Sequence, residues 1–265
     1  MKVLLFVKNS PNAINTAETL EKFLENKKIQ VEFFVNEPGK KPREGDYALT
    51  LVVGGDGTFL AGARFSAVRN IPIMGINEGK FGFLTEIDRG EAFEYVEKAL
   101  DGKLKPQKRM LICAFVDGKL LGHYLNDVVL SKLNLARMVE VEVFAQDEFM
   151  VKVYGDGVII STPTGSTAYA LSAGGPIIHP TMEALLFVPI CPHTLSNRPM
   201  LIPPYFRIKL ISNMPTFLTL DGQEGIEVNP RQEVWVEKSP FYCTLYTHPH
   251  RSFFYILREK LKWGR

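Results

Sequence analysis

Leu51-Val52-Val53 is an apolar run that passes without interruption into Gly54-Gly55-Asp56-Gly57-Thr58 and then into Phe59-Leu60. Three glycines within four residues permit a sharp turn and let backbone approach a bound group closely. A buried strand, a tight turn and the first turn of a helix must therefore follow one another here, and that succession is the unit of a parallel α/β layer. The first N–H groups of a helix have no partner inside it, so the turn attracts an anion, and phosphate is the expected guest. Asp56 is at odds with an anion site. A carboxylate beside phosphate is tolerated if a divalent cation lies between them, or if it takes a proton from an attacking hydroxyl, and both roles belong to phosphoryl transfer. The competing reading is an ordinary strand-to-helix turn in which Asp56 caps the helix.

The surrounding pattern agrees with an α/β layer. Val3 to Val7 is a β run, and Ala13, Ala17, Leu20 and Leu24 share one helical face. Residues 31–35 and 48–53 read as buried strands, 58–69 as a helix, 71–76 as a strand, and 92–100 as a helix ended near Gly102. Beyond Lys103-Leu104-Lys105-Pro106 the texture changes to hairpins, with Asp117-Gly118 as a turn between strands 111–116 and 119–130. Short strands continue at 139–145, 149–153, 158–161, 206–211, 217–220 and 234–237. Residues 252–262 read as a helix capped by Ser252, with Phe253, Leu257 and Leu261 on one side. The expected fold is an α/β domain with a parallel sheet over residues 1–105, completed by 245–265, and a β-rich, sandwich-like domain over 106–244. The last helix is expected to return to the first domain.

Charge and cysteine content narrow the function classes. The 31 Lys and Arg against 29 Asp and Glu leave a formal charge of +2, too weak a field to imply binding to nucleic acid or an anionic membrane. Cys113, Cys191 and Cys243 are odd in number and lack a CxxC pair, which suggests neither a disulfide framework nor a cysteine zinc site and fits a reducing cytoplasm. Residues 1–8 are too short and too soon interrupted by Lys8 for a signal peptide, and no apolar run approaches spanning length, so no membrane association is expected.

Neither GxxxxGK[ST] nor a GxGxxG after a strand occurs. A second dense region does: Gly155-Asp156-Gly157, then Ser161-Thr162-Pro163-Thr164-Gly165-Ser166-Thr167-Ala168-Tyr169, then Ser172, Gly174 and Gly175. Hydroxyls, a carboxylate and an aromatic ring together suit a ligand with ribose and heterocycle, although a hydroxyl-rich turn is the plainer reading of the segment alone. Asn126-Asp127 places an amide and a carboxylate at the start of a strand, where a turn would be the ordinary explanation.

Taken together, GGDGT at 54–58, GINEGKFGFL at 75–84, the ND pair at 126–127, the block from Gly155 through STPTGSTAYALSAGGPIIHP at 161–180, and PICPHTLSNRP at 189–199 resemble the NAD kinase family over most of the chain. GGDG alone also resembles the turns of lipid kinases and phosphofructokinases; the GSTAY block decides among them. The resemblance implies transfer of the γ-phosphoryl group of ATP, or of polyphosphate in some members, to the 2′-hydroxyl of the adenosine ribose of NAD. By the same analogy Asp56 is the general base, Gly54, Gly55, Gly57 and Thr58 hold phosphate, and Mg²⁺ or another divalent cation accompanies ATP. No dedicated protein metal site is implied. The implied NAD contacts are Asp56, Gly57, Phe83, Asn126, Asp127, Arg137, Asp156, Thr167, Ala168, Tyr169, Ser172 and Gln223, in a cleft between the two domains. Asp127 stands where many members have Glu, and Tyr154 where many have Arg. A homodimer or homotetramer is the usual state of the resembled family.

Other conspicuous residues have structural readings. His123, His179 and His193 lack ligand spacing, and His248 and His250 flank Pro249 in what reads as a linker. Lys103, Lys105, Lys108 and Arg109 read as a solvated basic linker. Lys80 reads as an exposed loop lysine, with phosphate binding as its alternative. A lipid or sugar kinase and a silent NAD or NADP sensor are the competing functions.

Overall fold

The computed structural model describes residues 1–79, 81–134, 137–262 and 264; Lys80 lies outside them. The chain divides into two compact units, one of Met1–Lys108 with Cys243–Arg265 and one of Arg109–Tyr242.

The first unit begins with β1 (Lys2–Lys8), α1 (Pro11–Asn26), β2 (Gln30–Asn36), β3 (Leu49–Val53), α2 (Asp56–Ala67), β4 (Ile73–Asn77), β5 (Ile87–Asp88) and α3 (Ala92–Leu100). Its strands are all parallel in the order β5-β4-β3-β1-β2. β3 and β4 are buried at every position, as strands covered on both faces by crossover helices must be. α1 starts with Pro11 at its first turn, where a missing N–H costs nothing, and buries Ala13, Thr16, Ala17, Leu20 and Leu24 against the sheet. The strand order reverses beside β1, and the turn after β3 leaves the sheet at the carboxyl end next to that reversal. In open α/β sheets this is where ligands bind.

The second unit holds β6 (Gln107–Val116), β7 (Lys119–Tyr124), β8 (Asp127–Lys132), β9 (Val139–Ala145), β10 (Glu148–Gly155), β11 (Gly157–Ser161), a 3₁₀ turn (Thr164–Thr167) and α4 (Tyr169–Ser172). It continues with β12 (Leu185–Ile190), β13 (Met200–Ile202), β14 (Ile208–Ser212), β15 (Thr216–Leu220), β16 (Glu224–Val228) and β17 (Val234–Tyr246). One antiparallel sheet runs β13-β12-β11-β8-β15-β16; a second contains β10-β9-β14-β17 with β6 and β7. Alternate residues of both, among them Val128, Leu130, Val158, Ile160, Val141, Val143, Ile208 and Val236, form one core, which is the sandwich arrangement. On the other face of β8, β11 and β12, Val129, Ile159, Leu186 and Val188 pack on Ala170 and Ile178. Buried on both sides, these strands show no alternation.

Three expectations need correction. The strand expected over 119–130 is two strands, because the N–H groups of Leu125, Asn126 and Asp127 all turn toward the Asp221 carboxylate instead of a strand partner. The basic linker is shorter than expected: Lys108 and Arg109 are already in β6, and Arg109 is buried. The strand expected to stop at 237 runs on to Tyr246, so that its last residues, from Cys243, belong to the first unit, within which Leu245 and Tyr246 pair in parallel with β4.

The chain closes in the first unit with α5 (Phe253–Leu261), capped by Ser252, whose Oγ accepts from the Tyr255 N–H at 3.2 Å. His248 is no bare linker. Its backbone N–H donates to Glu86 Oε2 at 3.0 Å, its Nδ1 accepts from the His250 N–H at 3.2 Å, and its Nε2 faces Glu91 Oε1 at 3.3 Å. That pattern places the proton on Nε2. Burial and neighbouring Arg251 push the imidazole pKa down, so the ring is a neutral structural group. Arg251 donates to the Glu86 carbonyl, to Asp88 Oδ2 at 2.8 Å and to Glu91 Oε2 at 2.9 Å. Burial works to raise the Asp88 pKa, but Asn77 and Arg251 outweigh it and hold the carboxylate charged.

Candidate active site

In the first unit, Gly55 is the N-cap of α2 and Asp56 its first residue. A carboxylate there suits the positive end of the helix dipole, yet it does not cap the helix. Asp56 Oδ2 accepts from the Phe83 N–H at 2.8 Å, while Oδ1 accepts from the Leu84 N–H at 3.0 Å, the Thr85 N–H at 3.2 Å and the Thr85 hydroxyl at 3.2 Å. The ordinary-cap reading is therefore not what the geometry shows: Asp56 ties the turn after β3 to the segment after β4. Gly82 is required for this. A Cβ at residue 82 would lie 2.8 Å from Asp56 Cγ and closer still to Oδ1. With four donors on its two oxygens, the carboxylate is fixed in direction, and Oδ1 carries three of them. Oδ2 retains a lone pair.

In the second unit, a pocket of about 340 Å³ is lined by Asn126, Asp127, Val129, Ser131, Ala168, Tyr169, Thr219, Asp221 and Gly222. β8 and β15 are neighbours in the sheet, so the start of one and the end of the other bring Asp127 and Asp221 to the same rim. Asp127 is 4% exposed and Asp221 5%. Asp221 accepts from the N–H groups of Leu125 at 3.1 Å, Asn126 at 2.7 Å and Asp127 at 3.3 Å. Burial, then the Asp221 charge, pushes the Asp127 pKa up to about 7. A buried carboxyl shifted toward neutrality, in a pocket with an amide and an exposed aromatic ring, makes this pocket the candidate binding site of the second unit.

The residues expected from sequence distribute unevenly. Gly54, Gly55, Asp56, Gly57 and Thr58 form the turn and first helical residues, and Phe83 meets Asp56 through its N–H. Asn126, Asp127, Ala168 and Tyr169 share the pocket. Asp156 instead pairs with Lys132, Nζ to Oδ1 2.7 Å. Thr167 and Ser172 flank the pocket's Ala168 and Tyr169 in the chain, while Arg137 and Gln223 are exposed in turns. Sequence reasoning missed Asp221, Thr85 and Lys132. For Asp221 a signal existed: an Asp-Gly turn after an apolar strand is a common place for a carboxylate to collect backbone amides.

Against known proteins, the family model described as ATP-NAD kinase N-terminal domain matches residues 3–104, and that described as ATP-NAD kinase C-terminal domain matches residues 125–248. The chain is 49% identical over 272 residues to the NAD kinase of Aquifex aeolicus (strain VF5), covering 99% of each, and 42% identical over 223 residues to that of Magnetococcus marinus, covering 82% of this chain and 74% of the relative. Its fold superposes with TM-score 0.84 on an NAD kinase from Archaeoglobus fulgidus in complex with ATP, at 25% identity over 99% of both chains. A yeast NADH kinase complexed with NADH gives TM-score 0.86 at 24% identity, over 100% of this chain and 88% of that one, a likeness of fold.

Proposed function

The chain belongs to the NAD kinase family, and from that premise we infer that it moves the γ-phosphoryl group of ATP to the 2′-hydroxyl of the adenosine ribose of NAD, with Asp56 as general base. NAD kinase activity is the family's function; the donor and the base are the finer steps proposed here. The observation that carries the base assignment is the division between the two Asp56 oxygens: Oδ1 is saturated by Leu84 and Thr85, and Oδ2 keeps the lone pair that accepts the hydroxyl proton. Phosphoryl transfer asks little covalent chemistry of a protein, so an aimed carboxylate and backbone amides suffice. Gly54, Gly55, Gly57 and Thr58 are proposed to hold phosphate at the start of α2. ATP as donor is supported by the Archaeoglobus fulgidus relative, solved with that nucleotide.

Asn126, Asp127, Ala168 and Tyr169 are proposed to bind NAD because they share one pocket; Phe83, Arg137, Asp156, Thr167, Ser172 and Gln223 rest on resemblance alone. Among the described residues no group of three His, Cys, Asp or Glu side chains is placed to hold a metal. Mg²⁺ is proposed to arrive on the phosphates of ATP, which suits an ion that keeps its waters and favours substrate phosphate over a protein cage. It would neutralise charge on the donor.

Purified protein incubated with NAD, Mg²⁺ and ATP is expected to give product that an NADP-specific dehydrogenase reduces, and EDTA is expected to stop it. Turnover with polyphosphate but not ATP would refute the donor. NAD binding without any NADP would favour the silent sensor.

Cys113, Cys191 and Cys243 form no disulfide among the described residues, which agrees with the reducing, cytoplasmic setting proposed here. No described helix is long and apolar enough to cross a membrane. A homodimer or homotetramer is proposed on the exposed apolar side chains of the second unit, Leu195 at 81%, Tyr205 at 72% and Phe149 at 55%. Sedimentation at micromolar concentration is expected to show no monomer; a single 30 kDa species, close to the chain mass of 29.9 kDa, would end that proposal.

A further inference from the structure

The pocket in the second unit contains two buried carboxyls where one charge would be easier to hold. Asp221 follows β15 at φ +50°, a left-handed conformation that aims its side chain at the start of β8. Three backbone N–H groups in succession, from Leu125, Asn126 and Asp127, converge on it. Such a nest stabilises an anion strongly, so Asp221 is the carboxyl that ionises first. Asp127 is held against it by the same contacts. Its own N–H is one of the three donors, and the Asp221 N–H in turn donates to the Asp127 carbonyl at 2.9 Å. Both residues line the same pocket and both are buried, and two carboxyls so placed cannot both ionise cheaply away from water.

We propose that Asp221 is a positioning residue for NAD binding: its amide-clamped charge fixes the Leu125–Asp127 backbone and obliges Asp127 to keep its proton, so that Asp127 faces the pocket as a hydrogen-bond donor. This rests on the NAD-binding reading of the pocket. A neutral carboxyl donates one hydrogen bond and accepts another, the complement of a ribose hydroxyl or a ring nitrogen. Ionised Asp127 would set a second negative charge before a dinucleotide that already carries a pyrophosphate. NAD affinity should therefore be level in acid and fall as pH rises through the titration of Asp127.

The other ionisable groups on the elements packed against Asp127 do not supply this behaviour. Lys132, at the far end of β8, is paired to Asp156 at 2.7 Å. Glu224, after the β15 turn, faces the Tyr124 hydroxyl at 3.5 Å. From the β11 side come the hydroxyls of Ser161 and Thr162, which donate to the Asn126 and Leu125 carbonyls, and the phenol of Tyr169, which lines the pocket. None of these brings a cation to Asp127 that would favour its ionisation.

The test has two arms on the full-length protein. In the first, carboxyl carbons are followed by NMR in aspartate-labelled protein without ligand. One resonance is expected to inflect near pH 7, to be missing in Asp127→Asn, and to move toward acid by about one unit or more in Asp221→Asn. Asp221→Ser keeps an acceptor for the amides without the charge and serves if Asp221→Asn does not fold. In the second, KM for NAD is expected to stay level to neutrality and then climb by up to about tenfold per pH unit, without the same inflection in kcat; Asp127→Asn should flatten it. An Asp221 variant that only loosened the fold would lower stability but leave the inflection in place. No carboxyl titrating above pH 6, or an inflection unmoved by removal of the Asp221 charge, overturns the proposal. The NMR arm needs no turnover, so a protein that makes no NADP would count against the proposed function and not against the acid pair.

Discussion

Asp56→Asn is expected to lower NADP formation by about 10²–10⁴-fold, the range associated with loss of a general base. The substitution changes little volume, but it changes both oxygens. If the amide oxygen takes the Oδ1 place, it keeps the donors from Leu84 and Thr85, and the amide nitrogen then confronts the Phe83 N–H, which is left without an acceptor. That mismatch costs about 1–3 kcal/mol and loosens the segment after β4. Two losses are thus expected, and they separate by readout. Loss of the base lowers kcat and leaves NAD affinity, measured by calorimetry, close to that of the parent. Loss of the tie lowers the melting temperature and is shared by Gly82→Ala, whose methyl would push the Asp56 side chain aside while keeping the acid in the chain. Undiminished turnover by Asp56→Asn would refute the base, whatever the stability shows.

What could be read from the sequence was local. The strand, glycine turn and helix around Asp56, the burial stripe of α1 and the Ser252 cap all depend on residues within a few positions of one another, and all are found. The destination of the Asp56 carboxylate was not legible, since its partners lie 27 to 29 residues on and are backbone amides that no side-chain pattern advertises. The same holds for Asp221, brought to Asp127 by pairing of strands some ninety residues apart. Strands β5, β12, β13 and β16 are not legible in the sequence: Leu185–Ile190, for one, is buried at every position and contains Pro189, so it shows neither alternation nor ordinary strand composition. Arg109 reads as solvated in the sequence because charge usually means surface, and the burial of β6 overrides that tendency. The site residues found by resemblance are dispersed: Asp56 and Phe83 meet in the first unit, Asn126, Asp127, Ala168 and Tyr169 share a pocket in the second, Asp156 pairs with Lys132, and Arg137 and Gln223 stand in exposed turns.

Gly165→Ala is expected to be strongly destabilising in the second unit. Gly165 lies in the 3₁₀ turn and packs directly on the backbone of Asn126; an added Cβ would sit 2.6 Å from the Asn126 carbonyl carbon and nearer still to its oxygen. That oxygen has no room to retreat, because it already accepts from the Thr162 N–H at 2.8 Å and the Ser161 hydroxyl at 3.0 Å. Neither can the 3₁₀ turn withdraw freely. The Gly165 N–H donates to Thr162 Oγ1 at 3.1 Å, and that hydroxyl donates to the Leu125 carbonyl at 2.5 Å. Whichever side yields, buried hydrogen bonds are stretched as well as atoms overlapped, and about 3 kcal/mol or more is the expected cost, a fall of about 6–12 °C in melting temperature for a chain of this size. Gly118→Ala is the control. Its φ is +78° but its Cβ would meet open space, so it should lose only about 1–2 kcal/mol of left-handed strain. Because the displaced backbone is that of Asn126, the Gly165 variant should also bind NAD more weakly at temperatures where it remains folded, and Gly118→Ala should not. Melting of Gly165→Ala within about 2 °C of the parent, less than 1 kcal/mol, would mean that the turn and the start of β8 are not in the contact on which the whole pocket depends.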